Sequence, residues 1–151
     1  MTTQMTNPTT SLEDVLAYHH GGVVRRYCKE QHASPEVGEE CFREMLKWLY
    51  LCYRYSIDEQ PHGFACSMTP EILQLDEMWH CFVLHTRDYA EFCEKYFGFF
   101  LHHEPGDDAE EKLENPPDLA AILTEQLGFV HDVLGEATLR AWYKECRYAK
   151  A

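Results

Sequence analysis

The residues best suited to chemistry lie between Leu75 and Pro105, where histidines and a carboxylate are concentrated in one short part of the chain. Asp76 and His80 are four residues apart, so on a helix their side chains share one face about one turn apart. A carboxylate and an imidazole at that spacing can meet at one metal ion, or they can hydrogen-bond to each other. The spacing therefore makes Asp76 and His80 candidate metal ligands.

A second pair of histidines, His102 and His103, follows one predicted helix later, where the chain can return antiparallel to the first helix. Two imidazoles and one carboxylate form the ligand set of non-haem iron sites and of some zinc sites. Three such ligands leave positions open for water or a substrate. We therefore expect zinc or iron, held by Asp76, His80 and either His102 or His103.

Two aromatic residues, Trp79 and Tyr89, are predicted to shape the pocket around these ligands. Trp79 falls on nearly the same side of the helix as Asp76 and would form a dry wall. A catalytic form of the site would use the metal to activate water or dioxygen. The sequence names no substrate and leaves open whether the protein is an enzyme. In the alternative interpretation, the same carboxylate and histidines form a structural hydrogen-bond network that holds the segment after Gly98 onto the helix.

The remaining histidines and the helical cysteines are weaker candidates. His85 would lie about 140° around a continuous helix from the histidine five residues earlier, so it could join the site only if the helix ends first. His19 and His20 stand beside two glycines and are predicted to lie in a loop. Cys81 and Cys93 fall on apolar helix faces, which indicates packing rather than reactivity.

The composition is strongly acidic, with a formal net charge of −13. This charge repels nucleic-acid phosphates and anionic membranes, so neither is an expected partner. A basic protein partner fits the charge, although a solvated surface is the commoner reason for such a charge. A second functional hypothesis is therefore a non-catalytic acidic interaction module, such as an adaptor, an accessory protein or a phage-type inhibitor. Its docking face would include Asp107, Asp108, Glu110 and Glu111.

Cysteine use and the character of the N-terminus favour a reducing compartment. The seven cysteines form no CxxC pair, and the first residues, MTTQMTNPTT, lack the basic and apolar regions of a signal peptide. No apolar run approaches the roughly 20 residues that cross a bilayer. We expect a cytoplasmic protein without disulfides.

Caps and prolines predict an all-α fold, a single-domain bundle of about six or seven helices. Hydroxyl residues precede each of four predicted helices: Ser11, Ser34, Thr69 and Thr86. A flexible tail over residues 1–10 is expected before one domain over residues 11–151. The first helix is predicted to begin at Ser11, the second to span residues 23–31, and the third to extend from Ser34 to about residue 55. The third is apolar on nearly every side over residues 45–55, which predicts a central helix surrounded by its neighbours. The next two helices are predicted to end near residues 84 and 98, and the last two to span 118–134 and 136–148. Residues 106–117 are predicted to form an acidic surface loop.

Residues from about 23 to 105 resemble the glycine-rich domain-containing protein-like family, which is known from plant proteins and from short bacterial and phage-type proteins. The resemblance depends on the runs at residues 76–80, 86–89, 92–93, 98 and 102–105, in the order D-x-x-W-H…Y…C…G…H-H-x-P. The glycine-rich segment itself is missing, so the chain resembles the short stand-alone form. The resemblance implies that Asp76, Trp79, His80 and His103 belong to one motif, and it implies no particular activity.

Overall fold

The computed structural model describes residues 10–57, 68–103 and 119–149. Within these ranges the chain forms seven α-helices and no strand, which confirms the predicted all-α fold. The helices are α1 (Leu12–Leu16), α2 (Gly21–Gln31), α3 (Pro35–Ile57), α4 (Leu73–Leu84), α5 (Thr86–Tyr96), α6 (Leu119–Leu134) and α7 (Glu136–Leu139). The predicted acidic loop, most of the predicted N-terminal tail and residues 58–67 lie outside the described residues.

Helix α3 is the centre of the fold, and it packs against α1, α2, α4 and α6. Its second half is apolar on nearly every side, which is typical of a helix surrounded by its neighbours. Met45, Leu46, Trp48 and Leu49 are completely buried there. The central position that the sequence predicts for this helix is therefore confirmed.

Two of the four predicted hydroxyl caps are confirmed. The Ser11 hydroxyl accepts a hydrogen bond from the Asp14 amide at 3.1 Å, and α1 begins at the next residue. The Ser34 hydroxyl accepts from the Val37 amide at 3.3 Å, and Pro35 occupies the first position of α3. Each hydroxyl satisfies a backbone amide that has no partner within the first turn of its helix.

Thr69 occupies the predicted cap position before Pro70, but its hydroxyl forms no cap hydrogen bond, and the predicted cap at Thr86 is wrong. Thr69 precedes a 3₁₀ turn, Pro70–Ile72, in which its carbonyl rather than its hydroxyl accepts the Ile72 amide at 3.1 Å. Thr86 is already helical, because the carbonyl of His85 accepts the first hydrogen bond of α5 from the Tyr89 amide at 2.8 Å. In both places the backbone begins the helical hydrogen bonding without the hydroxyl.

The C-terminal helix is shorter than the predicted span 136–148. After α7 the chain forms a π-helical turn, Arg140–Lys144, which a buried contact fastens to α3. The indole N–H of Trp142 donates to Glu44 at 3.0 Å, and the ammonium of Lys47 pairs with the other oxygen of Glu44 at 2.8 Å. The Trp142 hydrogen bond attaches the π-helical turn to the central helix, and Lys47 neutralises the carboxylate that accepts it.

No helix in the described ranges is both long and apolar enough to cross a membrane.

Candidate functional site

The first two site residues lie on α4, which presents Asp76 and His80 on one face. Their facing atoms, Asp76 Oδ2 and His80 Nε2, are 3.4 Å apart. The Asp76 side chain is 20% exposed and the His80 side chain is 50% exposed, so the pair lies at the protein surface with its histidine facing solvent. The helical spacing seen in the sequence accounts for this pair.

The third residue, His103, arrives from the segment that follows α5. Gly98 has a φ of +77°, a left-handed conformation that ends the helix and turns the chain back. Nε2 of His103 then lies 2.8 Å from Oδ1 of Asp76, and the rings of His103 and His80 are 4.5 Å apart. The carboxylate can only accept, so this ring nitrogen carries the proton and donates it. His103 is 14% exposed and is the most buried member of the group.

Asp76, His80 and His103 together form a cluster that could hold a metal ion. Each side chain offers one ligand atom, and these atoms lie within 4.8 Å of one another. Ligands about 2.1 Å from a tetrahedral ion are separated by about 3.4 Å. The Asp76–His80 pair is already at that separation, so small side-chain movements would complete a three-ligand site.

Trp79 and Tyr89 connect this cluster to the core. The Trp79 ring lies 4.1 Å from the His103 ring, and its indole N–H donates to the Tyr89 hydroxyl at 3.0 Å. The hydroxyl in turn donates to the Leu101 carbonyl at 2.5 Å. Trp79 is 7% exposed and Tyr89 is fully buried, and burial raises the Tyr89 pKa far above its usual range. Trp79 therefore contacts a candidate ligand directly, whereas Tyr89 lies behind it.

Among the described residues, the other predicted ligand, His102, is not part of the cluster. His102 is exposed, and its ring packs against Phe100 at 4.8 Å instead of facing Asp76. Adjacent residues in an extended segment point to opposite sides, so only one of the two histidines can face α4. The four acidic residues proposed for docking, at positions 107, 108, 110 and 111, lie outside the described residues.

A second histidine–carboxylate group, which the sequence did not indicate, joins α2 to α5. Nδ1 of His20 accepts from the Val23 amide at 3.1 Å and so caps α2. Its Nε2 lies 2.7 Å from Asp88 and must therefore donate to that carboxylate. This hydrogen bond from His20 lowers the Asp88 pKa. The predicted loop at His20 is thus a helix cap, and the contact crosses 68 residues of sequence, which no local pattern reveals.

His85 is half-buried beside His20, and Cys81 and Cys93 pack in the interior. The His85 ring contacts the His20 ring at 5.0 Å, and its Nδ1 donates to the Cys81 carbonyl at 3.0 Å. Cys81 and Cys93 are buried. Burial raises the pKa of Cys81 to about 12 and raises that of Cys93, so both are neutral thiols at pH 7. Their predicted packing role is confirmed.

A cavity of about 340 Å³ lies elsewhere on the molecule, between the end of α2, the start of α3 and the C-terminal turn. Tyr27, Cys41 and Tyr148 are among its lining residues. Of the predicted site residues that the structure describes, none lines this cavity.

Comparison with known proteins gives one match. The family model UCP032817-like matches residues 27–118, a span that contains all three members of the cluster. No curated protein and no solved structure matches the chain. The resemblance to the glycine-rich domain-containing protein-like family stays a prediction. Because the matched span covers more than half of the chain, this protein belongs to the UCP032817-like family.

Proposed function

We propose that this protein binds one divalent transition-metal ion through Asp76, His80 and His103. The observation that carries the proposal is the convergence of three ligand atoms within 4.8 Å, although one of them belongs to His103, which lies 27 residues after Asp76 in the sequence. Helical spacing alone explains why Asp76 and His80 lie together, but it does not explain the position of His103.

The chemistry of the ligands supports zinc or iron as the ion. Two imidazoles and one carboxylate suit these metals, whereas calcium and magnesium prefer oxygen ligands. Three protein ligands leave positions for water or a substrate, and the half-exposed His80 places those positions at the solvent boundary. A bound ion would activate water or dioxygen there, and the substrate stays open.

Metal binding at this cluster must displace a proton. Nε2 of His103 donates to Asp76, so it has to lose that proton, or pass it to Nδ1, before its lone pair can reach a metal. The Asp76 carboxylate must likewise be ionised. We therefore expect affinity to fall as the pH decreases, because protons compete for the same lone pairs.

The test is metal analysis combined with calorimetric titration of Zn²⁺ and Fe²⁺ into the apo protein. The wild type should bind about one equivalent, and His80→Ala and His103→Ala should each weaken binding at least tenfold. His131→Ala is the matched control, because His131 forms an exposed pair with Asp132, at 3.3 Å, and joins no three-ligand group among the residues that the structure describes. Less than about a tenth of an equivalent, with no titratable site for either metal, would sink the proposal.

The structural alternative has one observation in its favour, the 2.8 Å hydrogen bond between His103 and Asp76. In that alternative the network needs no ion, so a chelator leaves thermal stability unchanged while His103→Ala lowers it. The acidic interaction module, with its basic partner, stays a prediction from the sequence.

The cytoplasmic location is also part of this proposal. Buried neutral thiols such as Cys41 and Cys93 fit a reducing compartment. Fractionation of cells that express the tagged protein would test it.

A further inference from the structure

We infer that Tyr89 is a positioning residue that places His103 for metal binding. This inference rests on the proposed metal site and deepens it. Tyr89 does not face the ion, because it is completely buried behind Trp79. It acts through the two hydrogen bonds of its hydroxyl, one to α4 and one to the segment that carries His103.

The direction of both hydrogen bonds is fixed by chemistry. The indole N–H of Trp79 can only donate, and the Leu101 carbonyl can only accept. The Tyr89 hydroxyl has one proton, which it must give to Leu101, and its lone pair must take the Trp79 proton. No other neutral side-chain group of the same size performs both tasks, and phenylalanine performs neither. The hydroxyl therefore locks α4 to residue 101 in one arrangement.

Each partner of this hydroxyl acts on His103. Trp79 packs its ring 4.1 Å from the His103 ring, which restricts the rotation of the imidazole. Leu101 is two residues before His103, so two extended residues, about 7 Å of chain, separate the anchored carbonyl from the ligand. Trp79 is also on α4, three residues after Asp76 and next to His80. One hydroxyl thus holds the ligand from the loop against the two ligands from the helix.

The surroundings of Leu101 make this anchor important. Phe99 and Phe100, which precede it, are 36% and 44% exposed, whereas Leu101 is 8% exposed. The Leu101 carbonyl is thus held at the point where the chain returns to the protein after an exposed turn. Loss of its hydrogen bond would allow the segment, and with it His103, to move away from Asp76.

The test is Tyr89→Phe, which removes the hydroxyl and keeps the ring. The ring packs edge-on against Phe82 and Phe100, at 4.9 and 5.3 Å, so the variant retains its apolar contacts. Tyr148→Phe is the matched control. Its hydroxyl is also partly buried, and it donates at 3.1 Å to Glu40 of α3 rather than to the segment that carries His103.

The first readout needs no metal. NMR of the apo protein reports the shift that the Trp79 ring current imposes on the His103 ring protons. We expect this shift to be largely lost in Tyr89→Phe and kept in Tyr148→Phe. An unchanged His103 shift in Tyr89→Phe would overturn the inference, whatever the metal affinity does.

The second readout is the dissociation constant for Zn²⁺, with the absorption spectrum of the Co²⁺ form as a check on ligand geometry. Residues that orient metal ligands typically change affinity by about 10–100-fold. We expect a change of that size for Tyr89→Phe, with a weakened Co²⁺ spectrum, and less than about twofold for Tyr148→Phe. Wild-type affinity with an unchanged spectrum in Tyr89→Phe would also overturn the inference, while the metal proposal would stand. If the wild type binds no metal, the metal proposal fails and the NMR readout alone decides whether Tyr89 positions His103.

Discussion

The two histidines of the cluster should respond differently to alanine substitution, and the difference depends on metal. His80 is half exposed and faces Asp76 at 3.4 Å, whereas His103 is 14% exposed, hydrogen-bonds to Asp76 at 2.8 Å and packs on Trp79. In the absence of metal, therefore, His80 contributes little to the free energy of folding and His103 contributes substantially.

The expected magnitudes follow from these contacts. An exposed pair on one helix contributes about 0.3–0.5 kcal/mol, which the better helix propensity of alanine offsets, so His80→Ala should be nearly neutral without metal. A hydrogen bond to a charged group contributes about 1.5–3 kcal/mol, so His103→Ala should lower the free energy of unfolding by about 2 kcal/mol. The exposed fraction of His103 is small enough that solvent screening reduces this figure only slightly.

Bound metal should change the stabilities of His80→Ala and His103→Ala relative to the wild type. A ligand at 100 times its dissociation constant stabilises the folded state by about 2.7 kcal/mol. A tenfold weaker affinity removes about 1.3 kcal/mol of this stabilisation, and both variants should lose at least that much, so His80→Ala becomes clearly destabilising only when metal is present. For a domain of this size 2.7 kcal/mol corresponds to about 5–10 °C in Tm.

The assay is urea and thermal unfolding of the wild type and both variants, each with chelator and with excess Zn²⁺. The predicted pattern is no difference between His80→Ala and wild type in chelator and a difference of several degrees in Zn²⁺. If His80→Ala and wild type differ by the same amount in both conditions, the ion is not bound through His80 and the reasoning is refuted.

Three further predictions concern regions outside the cluster. The His20 hydrogen bond lowers the Asp88 pKa, so this contact stabilises the folded protein above the unfolded pKa of about 3.9, and the stabilisation is lost as the pH falls through the folded pKa. Asp88→Asn should therefore flatten the acid limb of a curve of unfolding free energy against pH. An unchanged acid limb would contradict this prediction. Gly38→Ala should lower the free energy of unfolding, measured in urea, by about 1–3 kcal/mol, because a Cβ there would lie 2.3 Å from the Cys28 sulfur. Adding Cys28→Ala should relieve most of that cost in the double variant. Simple additivity of the two substitutions would argue against the clash. Burial raises the Cys41 pKa to about 12, so iodoacetamide at pH 8 should leave this thiol unmodified until the protein unfolds, as mass spectrometry can establish.

Local patterns in the sequence were sufficient for most of the fold. Ser11 and Ser34 begin helices as predicted, because a side-chain cap acts within three residues of itself. The apolar second half of α3 predicted a central helix, since a surface with no polar side has to be covered on every side. Thr69 and Thr86 show the limit of this reasoning: a hydroxyl before a helix offers a cap, but the backbone can begin the helix without it.

In the candidate site, too, local patterns predicted one part and only the tertiary structure shows the other. The sequence by itself determined that Asp76 and His80 share a helical face, because their spacing matches one turn of helix. It left His102 and His103 as alternatives for the third candidate ligand, and only the tertiary structure shows that His103 lies beside Asp76, through the turn at Gly98 and the anchored segment after it. The contact between His20 and Asp88 was likewise beyond the sequence. Periodicity reports which residues of one helix lie together, whereas contacts between elements depend on how the helices pack and where the chain turns between them.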